Sequence, residues 1–197
     1  MIVEAILIGI FIGLIRKGSI SRLKHFDMNL SPLLMVSMLS IVTIVVMNLG
    51  KLDMNSNIYT GFLIGSYALI IIVLFFNLDT RYMFLPLVGS IMNFICLCFN
   101  NFKIPVRSDI ILNMYGKDFY NLFEAGNIKF ITAAEGATMN FFGKLISPEK
   151  YYFYNVVLSV GDILILIGLI LIIQNVMTDR YIKASKKITI SRKLYKK

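Results

Sequence analysis

The chain has 197 residues, of which 57% are hydrophobic and 16% charged, with a net charge of +9 and a mean hydropathy of +0.76. A soluble domain of this length is nearer half apolar and about a quarter charged, and the excess here is gathered into runs approaching the roughly 20 residues that cross a bilayer. This excludes an ordinary soluble domain. The basic residues also lack the interleaved aromatics of a nucleic-acid interface, so no nucleic-acid partner is expected.

The expected fold class is all-α: a polytopic membrane protein with five transmembrane helices and a long extracytoplasmic loop. The first span, Ile2–Ile15, is short, but Arg16 and Lys17 can snorkel and extend its apolar reach. A secretory signal places positive charge before its apolar core. Here Glu4 lies at the start and the cations follow the run, the pattern of a first transmembrane helix with its N-terminus outside. The remaining spans read as Pro32–Leu49, Ile58–Phe76, Tyr82–Phe99 and Val156–Met177.

Loop charge sets the orientation. Arg16–Asp27 holds four cations against one acid, the Asn77–Tyr82 turn is neutral, and the tail from Thr178 holds eight cations against Asp179. Five spans place these three segments on one side, while the opposite side has no net charge. Cationic loops stay cytoplasmic, so the C-terminus is expected on the cytoplasmic side of the cell membrane and the N-terminus outside. Residues 1–177 form one membrane domain, and 178–197 form a basic tail suited to anionic lipid at the inner leaflet.

The short turns "GKLDMNSN" and "NLDTRY" join antiparallel neighbours. The Asn100–Asn155 loop is far longer and is expected to carry structure of its own. "SDIILNMYG" offers Ser108 as an N-cap and Gly116 as a stop; "KDFYNLFEAG" offers Asp118 as a cap, an apolar face of Phe119, Leu122 and Phe123, and Gly126 as a stop. Both read as short amphipathic helices at the outer membrane surface. Gly136 and Gly143 mark turns, and "YYFY" at Tyr151–Tyr154 has the makeup of an interfacial aromatic belt.

Candidate chemistry is sparse. Cys96 and Cys98 point to different faces of a helix and His25 is remote, so no metal site and no cofactor is expected. In the fourth span Gly89 and Ser90 suit close helix packing, and Asn93 either hydrogen-bonds to another helix or lines a polar pocket. Asp162 interrupts the last apolar run. Sixteen residues separate it from Thr178, about 24 Å of helix in a hydrocarbon core of about 30 Å, which puts it in the outer leaflet. Two readings stand. Ser159-x-x-Asp162 has the capping-box spacing, with the regular helix starting at Val160 and the residues before it extended or re-entrant. Alternatively Asp162 is the acid of an intramembrane site, which in aspartyl hydrolysis requires a second carboxylate.

"NNFKIPVRS", "EGATMNFFGKLI" and "LSVGDILILIGLILI" stand in the order seen in a family of small bacterial membrane proteins, a domain of unknown function, which this chain resembles. Its motifs are Asn-Gly-x-x-Met-Pro-Val and Ser-x-Gly-Asp; Asn101 and Ile104 depart from the first. The resemblance implies a topology and no activity. The last span is also similar to the final helix of lipoprotein signal peptidase, which would match Asp162 to a catalytic aspartate and Asn93 to a conserved-motif asparagine. Cys96 stands where that peptidase has its other aspartate.

The expected activity is therefore that of a binding or accessory component with an outward-facing polar pocket formed by Asn93, Asn100, Pro105, Glu135, Ser159 and Asp162. Its expected partners are the lipid bilayer and a second membrane protein. An intramembrane hydrolase using Asp162 is the alternative, and a small-solute transporter the third reading.

Overall fold

A computed structural model describes residues 1–48, 56–126, 128, 131–147 and 156–179. Most of the "GKLDMNSN" turn, the Tyr151–Tyr154 cluster and the tail beyond Asp179 lie outside the described residues. In chain order the elements are α1 (Ile2–Ile15), a 3-10 turn (Ile20–His25), α2 (Ser31–Asn48), α3 (Ser56–Phe75), α4 (Phe84–Phe99), β1 (Ile104–Val106), α5 (Ser108–Glu124), β2 (Ile131–Ala133), two further 3-10 turns (Ala134–Gly136 and Asn140–Phe142) and α6 (Val160–Thr178).

The apolar runs form helices because nothing in them breaks the hydrogen-bond ladder. Pro32 and Pro86 fall in first turns, where the missing N–H has no intrahelical acceptor anyway. Asn57–Phe75 and Val160–Thr178 are long and apolar enough to cross a membrane; α1, the Ser31–Ile44 stretch of α2, and α4 are shorter apolar helices. α6 packs between α1 and α4, and α3 packs against both α4 and α2.

Small residues set a close crossing of α4 and α6. A Cβ on Gly161 of α6 would stand 2.6 Å from the Gly89 carbonyl of α4, so the two backbones touch only because neither residue has a side chain. On the other side of α6, a Cβ on Gly9 would lie 3.1 Å from Ile173 Cβ. Towards the C-terminal end of α6, Ile172 and Val176 build a core with Leu74, Met83 and Leu87. The end of α6 is tied down as well: the Ser19 amide, at 2.9 Å, and the Arg22 guanidinium both donate to the Met177 carbonyl, one of the last-turn acceptors without an intrahelical donor.

The long segment after α4 departs from the all-α expectation. β1 and β2 pair in parallel, Ile104 with Ile131 and Val106 with Ala133, so α5 is the crossover that parallel strands require. Val106, Ile110, Ile111, Met114 and Ile131 bury one another as a small separate core, with Phe119 and Phe123 packed against it. Leu122, expected on that face, is instead exposed. Gly116 breaks α5 with a φ of 80°, a conformation glycine adopts without strain, so the two expected short helices are present as halves of one run.

Ser108 is not an N-cap. Arg107 holds that position, and Ser108 is the first helical residue. The segment closes back on the helices through a bridge between Val106 and Lys144 and another between Ile146 and Leu158. The second bridge fixes the extended approach to α6.

Candidate functional site

The start of α6 has the geometry that Ser-x-x-Asp spacing implies. Ser159 is extended, with φ −94° and ψ 167°, and its Oγ accepts from the Asp162 amide at 2.9 Å. In return Asp162 Oδ2 accepts from the Ser159 amide at 3.1 Å. Two otherwise unpaired backbone donors of the first turn are thereby satisfied, and the positive end of the helix favours the carboxylate.

Tertiary packing closes this cap into a ring. Asn93, delivered by α4 beside the Gly89–Gly161 contact, donates from Nδ2 to Asp162 Oδ1 at 2.8 Å. Its Oδ1 accepts from Ser159 Oγ at 2.7 Å. The direction of these bonds follows from the carboxylate, which only accepts, and forces the amide to present its oxygen to the serine. Ser159 is 2% and Asn93 9% exposed, so leaving either unpaired would be costly.

A cation completes the site. Lys144 Nζ lies 3.9 Å from Asp162 Oδ2. The lysine is held by its backbone: its amide donates to the Pro105 carbonyl at 2.8 Å within the bridge to β1. Gly143 precedes it against Pro105, where a Cβ would come within 2.9 Å of Pro105 Cβ. Between these groups lies a cavity of about 90 Å³, with Asn93, Ser159, Asp162 and Lys144 on its polar side and Leu97, Ile104, Pro105 and Phe142 among its apolar walls.

The expected pocket residues thus separate. Asn93, Pro105, Ser159 and Asp162 line one cavity. Asn100 stands behind it: its Nδ2 donates to the Thr138 carbonyl at 2.7 Å and its Oδ1 accepts from the Thr138 amide at 3.0 Å, which pins the 134–147 segment to α4. Glu135 is not in the pocket. It is exposed at the start of α5, accepting from the Ser108 amide and hydroxyl at 3.0 Å each. The hydrogen bond from the Ser108 amide is the main cause that holds its carboxyl below the usual range.

Lys144 and Tyr67, which also lines the cavity, were not legible as site residues. Lys144 does sit inside the "EGATMNFFGKLI" block, as its only cation, which is the one local signal that marks it.

Chemically, the ring is a positioned and satisfied carboxylate. Ser159 Oγ both donates and accepts, which leaves no free hydroxyl for attack. Among the described residues no second carboxylate lines the cavity, and no group of three His, Cys, Asp or Glu residues can hold a metal ion. Cys96 lines the same cavity but supplies no acid.

A family model described as a family of unknown function, DUF5317, matches residues 25–174. No curated protein and no solved structure gives a significant match.

Proposed function

Since this chain belongs to DUF5317, a family of unknown function, its role has to come from its own chemistry, and we propose a binding or accessory component of the bacterial cytoplasmic membrane. In this reading α1, α2, α3, α4 and α6 are five spans, with the N-terminus outside and the basic tail at the inner leaflet. The 100–155 segment then roofs an outward-facing pocket, and the amphipathic α5 lies at the outer surface.

One observation carries the binding reading: the Asn93–Ser159–Asp162 ring and Lys144 converge on one small cavity from three separate segments of the chain. A few convergent polar groups on an otherwise apolar lining are the usual makeup of a small-molecule site. At about 90 Å³ the cavity has room for several waters or for the polar end of a larger molecule, and not for a drug-sized ligand.

The test is purification of the wild type, Asn93→Ala and Lys144→Gln from native membranes, with mass spectrometry of the small molecules and lipids that remain bound. The wild type is expected to retain a species that the folded variants lose. An identical bound inventory in all three would count against the pocket. The hydrolase alternative rests on Asp162 and lacks a second carboxylate among the described pocket residues, and no observation favours the transporter reading.

A further inference from the structure

The Lys144–Asp162 pair is longer than a charge-assisted hydrogen bond. Such bonds run about 2.7–2.9 Å, whereas Nζ and Oδ2 stand 3.9 Å apart. Among the described residues this is the one polar contact recorded for the Lys144 side chain, so its three N–H donors make no hydrogen bond there. Its side chain is 39% and that of Asp162 24% exposed, so both are reachable from the cavity. Each oxygen of Asp162 accepts one hydrogen bond, from Asn93 and from the Ser159 amide, and each keeps a further lone pair.

These facts select the charge of an occupant. A simple anion would meet Lys144 but be repelled by Asp162, and a simple cation would meet the reverse. We propose that the cavity receives a small zwitterionic group, with its ammonium on Asp162 and its anionic oxygen on Lys144. This rests on the binding reading above and names its ligand class.

The site is built to hold that arrangement. The carboxylate is fixed by hydrogen bonds from Asn93 and Ser159, and the lysine backbone is fixed by the bridge to Val106. The apolar walls from Leu97, Ile104, Pro105 and Phe142 suit the short carbon linker between the two charges. Asp162 stands 16 residues before Thr178, about 24 Å along the helix, so with α6 spanning a hydrocarbon core of about 30 Å the pocket lies in the outer leaflet, a few ångströms below the headgroups. A phosphoethanolamine lipid headgroup and a free amino-acid-like zwitterion share the required chemistry.

The experiment reads the rate at which a water-soluble amine-acylating reagent modifies Lys144, by peptide mass spectrometry, with exposed Lys117 of α5 as internal reference. The full chain is placed in vesicles of phosphatidylglycerol alone, in the same lipid with phosphatidylethanolamine, and in phosphatidylglycerol with soluble phosphoethanolamine added. A zwitterion is expected to slow acylation of Lys144 relative to Lys117 at least fivefold. Protection by phosphatidylethanolamine alone assigns a lipid headgroup, and protection by the soluble compound as well assigns a free zwitterion. Equal protection in phosphatidylglycerol alone overturns the proposal in favour of a plain anion and leaves the pocket standing. Rapid acylation in every arm overturns it outright, while the bound-species comparison above decides the pocket reading separately.

Asp162→Asn is expected to abolish the protection. Because that variant also loses part of its helix cap, Lys144→Gln provides a second measure. By native mass spectrometry it should retain at least fivefold less of the protecting zwitterion than Lys117→Gln does, and equal retention overturns the proposal.

Discussion

Asn93 Nδ2 and Asp162 Oδ1 meet at 2.8 Å across 69 residues of chain, and the bond joins α4 to the first turn of α6. It turns a local helix cap into a tertiary contact. The carboxylate that starts α6 is thereby also the group that holds Asn93 and faces Lys144.

The first prediction concerns that bond. Asn93→Ala removes the donor to Asp162 Oδ1 and the acceptor of the Ser159 hydroxyl, which keeps only its bond from the Asp162 amide, at about 1–3 kcal/mol per unsatisfied buried group. The variant should unfold in detergent at correspondingly lower denaturant. In a double-mutant cycle with Asp162→Asn the coupling should reach about 0.5–3 kcal/mol; simple additivity would mean that the two side chains do not act together.

Helix crossing supplies the second. A Cβ at Gly161 would meet Asn93 Cγ at 2.8 Å and the Gly89 carbonyl at 2.6 Å, whereas one at Gly61 meets nothing within 4 Å. Gly161→Ala should destabilise by about 1–3 kcal/mol through overpacking. Gly61→Ala should be neutral or stabilising by up to about 1 kcal/mol, because alanine loses less backbone entropy in a helix. Thermal unfolding of the two variants side by side checks this, and equal melting would remove the close crossing.

Glu135 gives a pH dependence. Hydrogen bonds from Ser108 hold its carboxyl below the ordinary range, so the contact favours the ionised form. Its stabilising effect is fully present above the ordinary glutamate value of about 4.3 and is lost as pH falls through the lower value of the folded protein. Exchange of the Ser108 amide, corrected for its intrinsic rate, should become less protected over that acid interval. Glu135→Gln should flatten the profile; a wild-type profile already flat would contradict the contact.

Orientation is the fourth. In a background with Cys96→Ser and Cys98→Ser, an impermeant thiol reagent on intact cells should label Asp118→Cys and spare Lys24→Cys until the membrane is opened. Both native residues are exposed. The reverse pattern would overturn the proposed topology.

What was legible in the sequence follows from what is local. The start of α6 at Val160 could be read from Ser159 and Asp162, because a capping box involves only neighbours three residues apart. The Gly116 break in α5 was legible for the same reason. The parallel pairing of β1 with β2 was not: three-residue strands carry no usable alternation, and their partners are separated by a whole helix. Nor could spacing tell that Glu135 turns to Ser108 rather than to Asp162.

By itself, then, the sequence determined the helices, their apolar character and the cap at Asp162, since propensity, hydropathy and capping are short-range properties. Only the tertiary structure decided what surrounds that carboxylate. Asn93 reaches it because Gly89 and Gly161 let two backbones touch. Lys144 reaches it because a backbone bridge to Val106 carries the segment across. Contacts of this kind depend on where separate elements meet in space, which no local pattern of residues records.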